Sequence, residues 1–378
     1  MSHPGNVNFQ IQPVLCSTLP EVAGFLHSWH RSDSNRSSSR ILAQESAPDI
    51  ERRLSWLLIQ NPAALRESPL GYCLRDGSGA IRGLNLCFPS LFVAGHKQLA
   101  ALCSGSFFVE PPARSLGFYL FKKCLRLPGY SFFFSCSCNP SSSEIWKAFG
   151  ARSVPNSEIE YILPIRLDSL LAAYITDRTA SSGAARMARL CGRSVNPILR
   201  ALRKSSPKLR VQSCHDWEKL SELSARHRAP GFVHPDRAPA VLEWRYGPAS
   251  PAHPCGVYLL QDASGREGWF SLSRTTRGNR SPFPASLLLD AVWPLEKMPA
   301  KSVFDTIVRV AAETSDAVSF RGQPGLAARQ YGAGVIPRKL AAPRAFFSVP
   351  KGAPPLPLGS LDYDDSESIA WLFPWRAA

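Results

Sequence analysis

Two hydrophobic periods alternate along the chain. Apolar and aromatic runs bounded by turn residues predict strands near 70–76, 81–94 and 98–110. Apolar positions three and four apart predict helices over 20–31 and 50–60 ahead of them, and over 115–127 after them. A strand at 130–137, a helix at 141–149 and a strand at 157–164 follow, the last reading as the close of a first unit. The order then recurs. Helices near 215–227 and 238–246 precede strands near 256–261, 267–274 and 284–292; then come a helix at 301–314, a strand at 316–320, a helix at 324–331 and a strand at 343–349. Antiparallel hairpins followed by a β-α-β crossover give an α+β class, with a mixed, mostly antiparallel sheet flanked by helices in each unit.

The recurrence extends to residues. "GYCLRDGSGAIRG" at 71–83 matches "GVYLLQDASGREG" at 256–268, each with Asp and Ser-Gly between two strands, which signals a β-hairpin. Trp56 precedes the first and Trp244 the second. "FGARSVP" at 149–155 matches "YGAGVIP" at 331–337. Gly150 and Gly332 suit positions just past a helix, where positive φ is cheap only for glycine. Three matches in one order predict two copies of one fold. The boundaries expected are 1–168 for the first copy, 169–208 for a basic linker, 209–350 for the second copy and 351–378 for a Pro-rich, then acidic tail.

Composition narrows the class of partner. A chain of 378 residues with a hydrophobic fraction of 44% can bury more than one core. The net charge of +15 suits an anionic ligand, such as a phosphorylated cofactor, an acidic lipid surface or nucleic acid, or reflects an arginine-rich composition alone. No apolar run is long enough for a transmembrane helix and no secretory leader is evident, so a cytoplasmic protein is expected. Ten cysteines show no paired CxxC spacing, so no zinc or other metal site is expected, and Cys136 and Cys138 read as core packing. From Arg178 to Arg210 there are nine basic residues and no acidic one. The segment 183–204 has helical apolar spacing broken near Pro197; it reads as a solvated linker helix or as a peripheral contact, through 178–210, with an anionic membrane. "HRSDSNRSSSR" at 30–40 reads as a mobile loop or a lid, and Trp371, Phe373 and Trp375 of the tail as a segment that docks on the body.

Between "SGSFFVEPPA" and the helix that follows lies Arg114-Ser115-Leu116-Gly117-Phe118-Tyr119. A strand, an Arg-x-x-Gly turn and a helix in that order resemble the acyl-CoA-binding motif of the GNAT superfamily of N-acyltransferases. Tyr119 stands where the family has a small residue. The resemblance implies tandem GNAT-like domains and an acyl-CoA, such as acetyl-CoA, as substrate. Its diphosphate would lie on the helix N-terminus at Arg114–Tyr119, where free N–H groups and the helix dipole favour an anion. The backbone of Phe108 and Val109 would polarise the acyl carbonyl, and Asn139 would face the pantetheine arm. Glu110 is the candidate general base, with His96 and Glu160 as alternatives. Trp146 occupies the helix in which many members carry a tyrosine that protonates the leaving thiolate, and an indole cannot supply that proton. The second copy lacks the motif: "AVWPLEKMPAKSVF" has no glycine and brings Glu296 toward the phosphate position.

Tandem arrangements of this kind resemble FemAB-type bacterial transferases, which implies an amine on an amino sugar, a peptide or a polysaccharide precursor as acceptor. A non-catalytic GNAT-fold scaffold with a basic partner-binding linker is the alternative. Nucleic acid is disfavoured, because the basic residues concentrate in the linker without interleaved aromatics.

Overall fold

The computed structural model describes residues 8–33, 45–65, 68–179, 181–204, 208–251, 255–278, 280–322, 328–332, 334–352, 356–358 and 362. The Ser-rich loop from 34 and Trp371, Phe373 and Trp375 lie outside them. The chain divides into two compact units. The first holds 1–155, 230–236 and 341–378; the second holds 156–229 and 237–340.

The first unit opens with β1 (Gln10–Val14), α1 (Leu19–Asp33) and α2 (Ala47–Leu58). Ser46 caps α2, accepting the Asp49 N–H at 3.3 Å while the Asp49 carboxylate accepts back from Ser46, a reciprocal pairing that satisfies two end donors. Then come β2 (Gly71–Arg75), β3 (Ile81–Ala94), β4 (Lys97–Val109), a 3-10 turn (Pro111–Leu116), α3 (Gly117–Cys124), β5 (Phe132–Ser135), α4 (Pro140–Ala148) and β6 (Arg152–Ser153).

The second unit contains β7 (Ile159–Pro164), α5 (Leu167–Thr179), α6 (Ser182–Lys204), β8 (Arg210–Ser213), α7 (Trp217–Arg226), α8 (Pro239–Tyr246), β10 (Cys255–Gln261), β11 (Glu267–Arg277), β12 (Phe283–Val292), α9 (Ala300–Ala311), β13 (Ala317–Arg321) and β14 (Ile336–Lys339). Two short strands return to the first unit: β9 (Val233–Pro235), which pairs with β3, and β15 (Phe346–Ser348).

The two sheets have the same order. The first runs β1-β2-β3-β4-β5-β15-β6 and the second β8-β10-β11-β12-β13-β7-β14. All neighbours on these paths are antiparallel except β4–β5 and β12–β13, the parallel pairs expected of a β-α-β crossover. The repeat also holds at the turns. Asp76 Oδ1 accepts the N–H groups of Ser78 at 2.9 Å and Ala80 at 3.1 Å, and Asp262 Oδ1 accepts those of Ser264 at 2.8 Å and Arg266 at 2.9 Å. Gly79 and Gly265 follow with φ of 85° and 77°, which glycine adopts without a Cβ clash. Gly150, just past α4, has φ of 75°, and Gly332 has 110°.

The closing strands depart from the expectation. Residues 157–164 do not close the first sheet; β7 pairs with β13 in the second. β15, at the end of the second copy in sequence, pairs with β5 in the first. The two copies exchange β7 and β15. Periodicity identifies a strand but not its partner, because either sheet presents an equivalent edge. Two helical expectations also change. Of the segment expected as a helix over 324–331, residues 324–327 lie outside the described residues and Ala328–Tyr331 form a 3-10 turn. α6 runs unbroken through Pro197. The adjacent Asn196 is tied down on both sides: its Oδ1 accepts the Leu167 N–H at 2.8 Å and its Nδ2 donates to Asp168 at 2.9 Å. Tertiary anchoring here outweighs the lost helical hydrogen bond.

Each unit has its own core. In the first, Phe121, Trp146, Leu102, Phe133 and the exchanged Phe346 pack together. In the second, Leu163 of the exchanged β7 packs with Phe270, Phe304, Val318 and Phe320. Among the described residues no helix is long and apolar enough to cross a membrane.

Phe346→Ala should therefore cost the first unit about 3–5 kcal/mol, and Leu163→Ala should cost the second about 2–5 kcal/mol. Hydrogen exchange resolved by unit checks this. Protection lost in the opposite pattern, around β13 for Phe346→Ala, would contradict the exchange.

Candidate active site

The site is set by where β4 stops pairing. β4 and β5 are in register only over Ala101–Cys103 and Phe132–Phe134, yet β4 continues on β3 as far as Val109. Beyond Cys103 the two parallel strands part, and β5 keeps β15 on its other edge. A bulge lies within the diverging length. Leu84 faces Phe108 and Leu86 faces Gly105, so Ser106 and Phe107 together oppose the single residue Asn85. Ser106 takes φ of 48°, unusual for a residue with a Cβ.

The bulge fixes what the strand end presents. Glu110 donates its N–H to the Arg82 carbonyl at 2.8 Å. Donors alternate along a strand, so the Val109 N–H and C=O point away from β3, to the side that β5 has left. Side chains alternate as well. Phe107 and Val109 face α3, and Phe108 lies against α1, 5.5 Å from the Trp29 ring and 5.8 Å from that of His30.

Gly117 begins α3 with φ of −54°, so its conformation does not require glycine. A Cβ would fit tightly: it would lie 3.3 Å from both the Phe107 ring and a Val109 methyl, so those side chains would have to give by a few tenths of an ångström. Its N–H donates to the Arg114 carbonyl, and the turn begins with Pro111 and Pro112, which have no N–H to offer. The start of α3 is thus seated tightly on the bulged strand. Ser115 and the side chains of Arg114, Tyr119, Lys122 and Lys123 are exposed around it, and Leu116 is half-buried. Phe118 stacks on Phe149 with centroids 4.3 Å apart. From Pro111 to Ser143 there are four basic residues and no acidic one.

A buried polar link not anticipated from sequence holds the arrangement. Asn85, fully buried on β3, accepts from Ser104 at 2.9 Å and donates to the Cys124 sulfur at 3.1 Å, joining β3, β4 and α3. Burial pushes the Cys124 thiol well above its ordinary range. A lone Asn within "IRGLNLCF" was the available signal.

The remaining candidates are dispersed. Glu110 stands at the end of β4, where its carboxylate accepts from Arg82 at 3.1 Å. Arg82 also donates to Asp76 at 2.6 Å. The Ser78 hydroxyl and that guanidinium hold the Asp76 carboxyl below the usual carboxylate range. Asn139 is exposed and caps α4, its oxygen accepting the Ser142 N–H at 2.9 Å. Trp146 is 2% exposed and meets Phe121 edge-on at 5.0 Å, a core position. His96 lies in the β3–β4 turn, thirteen residues and roughly 40 Å of strand from Val109. Glu160 belongs to the second sheet, buried and bound by Arg277 at 2.7 Å and Arg338 at 3.3 Å. Cys136 and Cys138 are buried. Among the described residues no group of three or more His, Cys, Asp and Glu side chains could hold a metal ion.

The second unit repeats the geometry with different contents. β12 pairs with β13 only over Ala285–Leu287, and a bulge at Leu289 sets Ser271 against Asp290. There Arg237 forks onto Asp290 with two bonds of 2.9 Å, and the buried Trp293 packs edge-on against Phe304. Glu296 is exposed in the turn before α9.

No family model matches the chain, and no curated protein matches it. Solved structures do. An Enterococcus faecalis protein described as a probable N-acyltransferase aligns with a TM-score of 0.56 at 9% identity, over 91% of this chain and 72% of that one. A GCN5-related N-acetyltransferase from Anabaena variabilis aligns at 0.54 and 11% identity, over 90% and 73%. An N-myristoyltransferase of Saccharomyces cerevisiae, solved with myristoyl-CoA and inhibitors, aligns at 0.51 and 11%, over 92% and 80%. The chain has the GNAT fold: a mixed sheet with helices on its faces and a bulged central strand that parts from its parallel neighbour.

The bulge can be tested directly. Ser106→Val should lose about 1–3 kcal/mol, because a β-branched residue resists positive φ, whereas Ser106→Gly should be nearly neutral. Denaturant midpoints of the two variants check this; equal losses would show that the Ser106 side chain, not its φ, matters.

Proposed function

We propose that the first unit binds an acyl-CoA in the opening between β4 and β5 and transfers the acyl group to an amine. The observation that carries this reading is the Val109 backbone, turned by the bulge toward the side that β5 has left. An acyl carbonyl there accepts the Val109 N–H, which stabilises the oxyanion that forms when the amine attacks. The basic surface of Arg114, Lys122 and Lys123 draws in the anionic end of the thioester substrate. Holding the two reactants together supplies much of the acceleration.

Glu110 is the proposed base for the amine, and its hydrogen bond from Arg82 positions it. The thiolate takes its proton from solvent, since Trp146 is a core residue. The acceptor is an amino sugar, a peptide or a cell-envelope precursor amine, and acetyl is the proposed acyl group. The protein acts in the cytoplasm, where acyl-CoA is made. The contents of the second unit, a paired Asp290 and a buried Trp293, favour a supporting role for that copy.

A non-catalytic scaffold is the second reading. Glu110 engaged by Arg82 and a turn that opens on two prolines favour it.

Thermal titration with acetyl-CoA and longer acyl-CoAs, for the wild type and Arg114→Glu, tests the proposal. Ligand at a hundred times its dissociation constant adds about 2.7 kcal/mol of stability. The exposed charge reversal should weaken binding at least tenfold without changing the ligand-free midpoint. No shift with any acyl-CoA would overturn the reading, and a shift without transfer to any amine would favour the scaffold.

A further inference from the structure

α6 has three faces. One is fixed within the second unit. A Cβ on Gly192 would fall 2.5 Å from the Asp168 backbone, Asn196 is bonded to both Leu167 and Asp168, and Arg203 donates to the Pro164 carbonyl at 2.6 Å. The second face is apolar and open. Met187, Leu190, Val195, Ile198 and Leu202 are 43–61% exposed. At 3.6 residues per turn they form one stripe, about 22 Å long. The third face, between the other two, carries the exposed Arg186, Arg189, Arg193 and Arg200. Among the described residues only Arg193 of these pairs with a carboxylate, that of Asp168 at 3.7 Å, and α6 contains no acidic residue.

A helix held on one face would leave this stripe in water at a substantial cost unless something covers it. We propose that α6 lies on an anionic membrane surface, with the apolar stripe at the boundary between headgroups and acyl chains and the arginine row on the lipid phosphates. Such a surface takes both faces at once, because long basic side chains keep their charge in the headgroup layer beside a buried apolar stripe. The charge pattern selects this occupant. A nucleic acid would take the arginines but leave the stripe in water. A second copy would cover the stripe but bring two arginine rows together.

The test uses the full chain and sedimentation with vesicles of phosphatidylglycerol and phosphatidylcholine, against vesicles of phosphatidylcholine alone. Binding is expected only to the anionic vesicles and should weaken as salt rises. Replacing Arg186, Arg189 and Arg200 together by Gln should reduce binding on the order of a hundredfold, at about fivefold per charge. Met187→Ser, Ile198→Ser and Leu202→Ser together should reduce it at least tenfold. A dye on the exposed Cys191, which lies within the stripe, in a Cys16→Ser background, reads the contact directly and should shift to the blue on anionic vesicles.

Three results would overturn the proposal. One is no binding to anionic vesicles, including the case of a dimer that the serine variant makes monomeric. Another is binding that the arginine variant loses and the serine variant keeps, the behaviour of a site for a polyanion such as nucleic acid. The third is bound protein with an unshifted dye.

Discussion

Two parallel strands that part inside a sheet leave backbone donors and acceptors facing an opening, and buried backbone groups need partners. The first unit imposes this on β4 beyond Cys103. Everything around the site follows from it. The bulge at Ser106 and Phe107 shifts the strand by one residue, so that Val109 rather than its neighbour turns its N–H toward the opening. Gly117 lets α3 come down onto Phe107 and Val109. Asn85 holds the strand, the bulge and the helix together with two buried hydrogen bonds.

The same constraint appears twice in one chain and is met differently. In the second unit β12 parts from β13 after Leu287 and is also bulged, but the carboxylate beside the bulge is neutralised by a forked Arg237 and the strand runs into a buried tryptophan. One copy carries the exposed Arg114, Lys122 and Lys123 near its bulge, while the other pairs the carboxylate at its bulge with Arg237. The exchanged strands extend the pattern. Each sheet is completed by a strand from the far end of the other copy, so neither half of the sequence contains a whole sheet.

Much of this was legible in the sequence where the signal is local. The Asp-Ser-Gly turns, the glycines past α4 and before β14, and the strand-to-helix passage at 104–125 depend on residues near one another, and the structure has them where the pattern put them. Tertiary facts were not legible. β7 and β15 read correctly as strands, but a strand pattern does not name its partner. Glycine at 117 reads as a phosphate turn; its backbone is ordinary, with φ of −54°, and a Cβ there would lie 3.3 Å from the Phe107 and Val109 side chains. Asn139 and Trp146 sit at the expected places in chain order, but a cap and a core contact already occupy them. The bulge itself left no trace, since Ser106 takes a conformation that its sequence neighbours do not announce.

The proposed site turns on the Val109 amide. Its hydrogen exchange, followed by NMR or mass spectrometry with and without a saturating acyl-CoA, tests it most directly. Acyl-CoA should slow exchange at Phe107–Val109 by at least tenfold and leave 288–292 of the second unit unchanged. Protection at 288–292 with none at Val109 would contradict the assignment of the site to the first unit.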